Sequence, residues 1–158
     1  MNNNNNKKWI GVAVAIILVI VAIAFLGKVK VNDPEPSPTP PPPNKIENVP
    51  VNQAPKGFPT QLPIESGAEI TNNYNATSPD GRFQATRVFS STKSVQANFD
   101  FYNNYLTKNN WKVLGVVNES ARPDQRAIFA QHSTGLLNVT IYKSATGSTV
   151  DLSFLPVK

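Results

Sequence analysis

Phe99–Trp111 reads FDFYNNYLTKNNW, five aromatic side chains and four asparagines in thirteen positions. Aromatics interleaved with amides describe either a stacking surface for bases or sugars, or the buried stripe of a helix. The spacing favours the helix. From Ser94 onward, Val95, Phe99, Tyr102 and Leu106 fall at i, i+4, i+7 and i+11, one helical face. Thr92 or Ser94 can cap its start. At the other end Asn110 can adopt the left-handed conformation that closes helices, so that Trp111 opens the next strand. Phe101 and Tyr105 lie off the central stripe and cover its edges, with the Tyr105 hydroxyl expected in water.

Working outward, Glu69–Thr77 and Arg82–Ser90 read as a hairpin around the Ser78-Pro79-Asp80-Gly81 turn signal. Four further strands are expected after the helix, at Trp111–Asn118, Gln125–His132, Leu136–Lys143 and Thr149–Leu155. Leu137, Val139 and Ile141, then Val150, Leu152 and Phe154, alternate with polar residues, so one sheet face is apolar and the other is expected to be solvated. The predicted fold class is α+β, an antiparallel sheet covered on one face by a single helix in the order ββαββββ.

Leu62, Pro63, Gly67, Ala68 and Ile70, followed by Phe101, Tyr102, Leu106 and Trp111, match the loose patterns LPxxPGAxI and FYxxxLxxxGW. In these positions the chain resembles a module of bacterial membrane-anchored and lipoprotein ectodomains. Ser66 stands where the pattern has its second proline, and Asn110 where it has glycine. The resemblance implies an extracytoplasmic α+β domain and brings no activity or active site with it.

The N-terminal part has a different composition. Residues 1–8 read as a disordered, asparagine-rich tail, and residues 9–27 as a transmembrane helix. Trp9–Leu26 contains no charge, and a helix of that length matches a hydrocarbon core of roughly 30 Å. An uncleaved anchor is the reading taken; Lys7, Lys8 and Ala22-Ile23-Ala24 leave a cleaved signal peptide open. The short tail is expected in the cytoplasm, with the long downstream domain carried across the membrane. Residues 28–63 hold eleven of the fourteen prolines and read as an extended stalk short of backbone donors. Residues 64–158 are then the extracytoplasmic domain.

Chemistry is bounded by what the chain contains. It has no cysteine, which excludes disulfides, thiolate metal sites and a lipidated cysteine. The net charge of +5 is spread along the chain: from Ile64 onward nine Lys and Arg face seven Asp and Glu, which argues against a nucleic-acid binder. His132 is the only histidine, and no spacing announces a metal site, a cofactor loop or a catalytic constellation. No catalytic, metal or cofactor residue is therefore assigned. Two features stand out. Arg87 alternates in phase with Phe83, Ala85 and Phe89, which fits a bulge, a snorkelling side chain or a contact to an acidic ligand. The polar residues Asn138, Thr140, Tyr142, Asp151 and Ser153 share one sheet face and form the candidate interaction surface. The expected function is a non-enzymatic, single-pass membrane-anchored module presenting this face to a protein or glycan of the envelope. The alternatives are an envelope hydrolase with a site assembled from dispersed residues, and a surface nucleic-acid binder.

Overall fold

The structure, a computed structural model, describes residues 45–118 and 123–157. Within them a single antiparallel sheet comprises β1 (Lys45–Asn48), β2 (Glu69–Thr77), β3 (Phe83–Ser91), β4 (Lys112–Val117), β5 (Gln125–His132), β6 (Gly135–Ser144) and β7 (Gly147–Pro156), in the spatial order β1-β2-β3-β7-β6-β5-β4. One helix, α1 (Val95–Lys108), connects β3 to β4. Because β7 pairs with β3, that connection must pass over β7, β6 and β5 to reach the far edge. The helix is thereby laid across one face of the sheet.

The helix begins and ends where its side chains allow. The Ser94 hydroxyl accepts from the Ala97 N–H at 3.1 Å, the bond of an N-cap. At the other end Asn110 sits at φ 61°, and the Trp111 N–H returns to the Leu106 carbonyl at 3.1 Å, the wide bond of a Schellman closure. Val95, Phe99, Tyr102 and Leu106 are all buried. They lie over β4 to β7 and join one core cluster with Val150, Leu152 and Phe154 of β7, Leu137, Val139 and Ile141 of β6, and Ala85 and Phe89 of β3. Trp111 closes the core edge-on to Phe154, with ring centroids 6.2 Å apart. The aromatic stretch is thus core and helix closure. Tyr105 departs from expectation: its hydroxyl donates to the Gln61 carbonyl at 2.6 Å.

A buried polar junction fixes the start of the helix to the sheet. The Asn98 amide donates to the Ser91 hydroxyl at 2.8 Å and to the Ser148 hydroxyl at 2.9 Å, and Ser148 donates to the Lys93 carbonyl at 2.9 Å. Ser91 in turn donates to the Glu65 carboxylate. Each member has a partner, which is the condition for burying such groups without a large penalty. Gly147 permits the approach, since a Cβ there would lie 2.2 Å from the Ser91 carbonyl oxygen.

Residues 45–63 correct the expected boundary between stalk and domain. β1 pairs with the end of β2, Lys45 opposite Thr77 and Asn48 opposite Tyr74, and Phe58 and Leu62 are buried in the core. The proline-rich sequence lacks donors, but it is rich in carbonyl acceptors, and the sheet supplies the missing donors from side chains. The Asn73 amide donates to the carbonyls of Val49, Pro50 and Gln53 at 3.2, 2.7 and 2.8 Å. Asn75 pairs with Lys56 in both directions, accepting from its N–H and donating to its carbonyl, each at 3.2 Å. Tyr102 donates to the Pro63 carbonyl at 2.7 Å. The motif residues that follow form a turn in which the Ala68 N–H reaches the Glu65 carbonyl at 3.0 Å with Gly67 at φ 77°, a type II turn. Ser66 occupies its second position, where proline is preferred.

Among the described residues no helix is long and apolar enough to cross a membrane. The apolar run at 9–27, the tail before it and residues 28–44 of the stalk lie outside the described residues.

Two substitutions test this account by urea melts. Asn73→Ala removes three part-buried hydrogen bonds to the carbonyls of Val49, Pro50 and Gln53 and is expected to cost on the order of 1 to 3 kcal/mol. Ser66→Pro is expected to stabilise by about 0.4–1 kcal/mol, because it restricts the unfolded chain at a position whose fold already suits proline. An unchanged midpoint for Asn73→Ala would mean that the N-terminal segment is not held by that side chain.

Candidate functional site

The sheet face opposite α1 carries the polar side chains. Its register places Asn138 beside Ser153, Thr140 beside Asp151 and Tyr142 beside Thr149, with β3 adding Thr86 beside Ser153 and Val88 beside Asp151. Tyr74 of β2 stands next to Thr86. The five residues read from the sequence therefore share one face, joined by Tyr74, Gln84 and Thr86, which the sequence reading did not select. The alternation of Gln84, Thr86 and Val88 against Phe83, Ala85 and Phe89 was a visible signal for the β3 residues. Placement of Tyr74 beside them depended on the hairpin register.

This face is not the fully solvated surface expected. Thr86 is 0% exposed, Thr140 5%, Asn138 7% and Ser153 9%. Tyr74, Tyr142, Gln84, Val88 and Asp151 retain part of their surface. Short side chains in the middle of the sheet are overtopped by tyrosines and other longer neighbours, so the hydroxyls form a floor between taller walls.

A hydrogen-bonded chain runs along that floor. The Gln84 amide donates to the Thr86 hydroxyl at 2.8 Å and to the Ser153 hydroxyl at 3.2 Å, and those two hydroxyls lie 3.1 Å apart. Ser153 donates to Asp151 Oδ1 at 2.8 Å, and Thr140 donates weakly to Asn138 Oδ1 at 3.4 Å. The chain ends on the Asp151 carboxylate. Ion pairs among the described residues join Arg82 to Asp80 and Lys143 to Asp124; neither reaches Asp151. Burial pushes the Asp151 pKa up to about 6, against the pull of the Ser153 hydrogen bond. Burial also raises the phenol pKa values of Tyr74 and Tyr142, and the charge of Asp151 raises them further; in the register Tyr142 stands diagonal to Asp151 on β6 and Tyr74 lies two strands away on β2.

Arg87 lies on the other face, in phase with the core, as the alternation indicated. Its guanidinium donates to the Val51 carbonyl at 3.0 Å and stands 6.0 Å from the centre of the Phe58 ring. Its phase is explained by what covers that half of the face: an irregular segment offering carbonyls and a ring. Burial lowers its pKa. His132 is half-buried at the opposite edge, its ring 5.1 Å from that of Trp111 and its Nδ1 3.0 Å from the Thr134 hydroxyl. Among the described residues no three His, Cys, Asp or Glu side chains are grouped so that they could hold a metal ion.

Neither a family model, nor a curated protein, nor a solved structure matches this chain.

Asp151 makes a specific pH prediction. An unfolded-chain aspartate titrates near 3.9, so between about pH 4 and 6 the folded protein retains a proton that the unfolded chain has lost. Stability contributed at this site therefore falls as pH rises through that window, and the penalty is complete above it. The difference between the folded and unfolded pKa values corresponds to on the order of 3 kcal/mol. Asp151→Asn is expected to raise stability at pH 7.5 by on the order of 2 kcal/mol, with little effect at pH 4. Glu65 works in the opposite sense, its pKa lowered chiefly by the Ser91 hydrogen bond, and contributes stability that is lost on acidification. The difference between variant and parent melts across pH isolates Asp151. A difference that does not change between pH 4 and 7.5 would contradict the assignment.

Proposed function

We propose that the chain is a membrane-anchored extracytoplasmic binding module whose outer sheet face receives a protein or glycan of the cell envelope. One observation carries the reading: a carboxylate lacking a cationic partner among the described residues sits in the middle of that face, between two tyrosines and above a floor of hydroxyls. Groups held at a cost to stability mark sites used for something other than folding. Tyrosine offers a broad, rigid contact area with one hydroxyl, suited to recognition.

The sequence supports the location. The uncharged run Trp9–Leu26 has the length of a membrane span, and the proline-rich residues 28–44, which precede β1, are left as the spacer. At about 3.1 Å per residue, a fully extended spacer of that kind reaches roughly 50 Å from the membrane. Such a tether suits a module that contacts a partner at a distance from the bilayer.

A photo-crosslinking amino acid placed at Thr149, on the outer face, or at Gln96, on the exposed side of α1, tests the face in the intact cell. Products are expected from the Thr149 position, reduced at least fivefold by Tyr142→Ala in the same chain. Products from Gln96 alone would move the interaction to the helix. Protease added to spheroplasts should remove the domain, and protection until lysis would reverse the topology. Turnover of an envelope polymer abolished by His132→Ala would replace the binding reading by the hydrolase.

A further inference from the structure

We propose that the outer face binds a primary ammonium group carried on a slender alkyl chain, a lysine-type side chain, at Asp151 between Tyr74 and Tyr142. The assignment rests on this face being the binding surface and adds the chemistry of what it takes.

The charge arrangement selects a cation. A partly buried carboxylate normally has a basic partner, and removing such a partner is what makes burial expensive. Here the neighbouring strands bring none. β3 presents Thr86 and Val88, β6 presents Thr140 and Tyr142, and β7 itself presents Thr149 and Ser153. The titratable groups facing Asp151 are the phenols of Tyr74 on β2 and Tyr142 on β6, both neutral near pH 7. One carboxylate oxygen, Oδ1, accepts from Ser153. No hydrogen bond to Oδ2 is made from the described residues, leaving it to accept from a ligand N–H.

The shape selects the carrier. The floor residues Thr86 and Thr140 are 0% and 5% exposed, while the tyrosine walls keep part of their surface in solvent. Asp151 keeps part of its surface too, so a ligand cation can meet the carboxylate from the outer side, with the tyrosine rings beside it. A methylene stem can lie against the tyrosine rings and Val88 while its ammonium meets Asp151, and the ring faces add a cation–π attraction. A ring-borne amine carries no methylene stem to lie along the tyrosine rings. The aliphatic stem and the single point charge together specify lysine rather than a planar guanidinium, which would leave most of its five donors unmatched here.

Proton linkage follows. A cation favours the ionised carboxylate, so binding must displace the proton that Asp151 holds at acid pH. With a free-state pKa of about 6, apparent affinity is expected to be about tenfold weaker at pH 5 than at pH 7.5.

The test titrates the full-length chain in detergent micelles with a lysine tripeptide, its Nε-acetylated counterpart and a glucosamine trimer, observed by NMR. The lysine tripeptide is expected to shift the Tyr74, Tyr142 and Asp151 resonances saturably, at least tenfold more tightly than its acetylated form. Asp151→Asn should abolish the difference between the two peptides while leaving the spectrum of the fold intact. Tyr74→Phe with Tyr142→Phe should retain binding, because the rings and not the hydroxyls flank the stem. Equal affinity for the acetylated peptide, a preference for glucosamine, or lysine binding insensitive to Asp151→Asn would each overturn the ammonium assignment. If that happens while Thr149 still crosslinks in cells, the face stands and its ligand is different. If the Thr149 crosslinks are themselves missing, both readings fall.

Discussion

A single helix cannot cover a seven-stranded sheet, and the rest of this structure follows from that shortfall. With strands about 4.8 Å apart the sheet is close to 30 Å wide, whereas a helix with its side chains is about 10–12 Å across. α1 lies over β4, β5, β6 and β7. The apolar side of β2 and β3 would stand open to water without another layer. The segment before β2 supplies it, inserting Phe58 and Leu62 where the helix does not reach. Covering a sheet with irregular, proline-rich chain creates the opposite problem, a set of carbonyls without strand partners. Asn73, Asn75, Arg87, Tyr102 and Tyr105 answer it with side-chain donors. Several residues that look misplaced on the pattern of alternation, asparagines and an arginine in phase with the core, are thus the hydrogen-bonding partners of that second cover.

The same logic divides the two sheet faces by function. The helix side is closed by rings, aliphatic side chains and the segment before β2, with a polar network at Asn98, although Asn73 Oδ1 and Arg87 Nε are buried there without a hydrogen bond among the described residues. The outer side has no such closure in the described residues. Its floor is hydrogen-bonded from Gln84 to Asp151, yet the chain terminates on a carboxylate rather than on a cation. A core organised for stability alone would have paired or replaced that group. Its retention in the middle of the outer face is why binding, rather than folding, is the reading proposed for this surface.

The aromatic stretch that first suggested recognition proves to be architecture, and the polar face that looked merely wet proves to be structured. Both outcomes have one cause. Large amphipathic rings are buried when they fall at helical spacing over a sheet, while short hydroxyl side chains are buried when their strand neighbours are tyrosines. Exposure is set by neighbours across strands, and those neighbours are distant in sequence.

What the chain determined by itself was local. The Phe99–Trp111 spacing dictated the helix, Ser94 its start and Asn110 its left-handed end, because caps and periodicity are written within a few residues. Alternation likewise announced the strands from Glu69 onward, and put Asn138, Thr140, Tyr142, Asp151 and Ser153 on one face. Tertiary structure alone decided that β7 would lie between β3 and β6, since strand order depends on pairing and not on periodicity. That placement brought Val88 beside Asp151 and Thr86 beside Ser153, with Tyr74 on the next strand. It also decided that residues 45–63 would fold: a proline-rich segment has no periodicity to read, and its partners, Asn73 and Asn75, reveal themselves as donors only once the carbonyls they serve are packed against them.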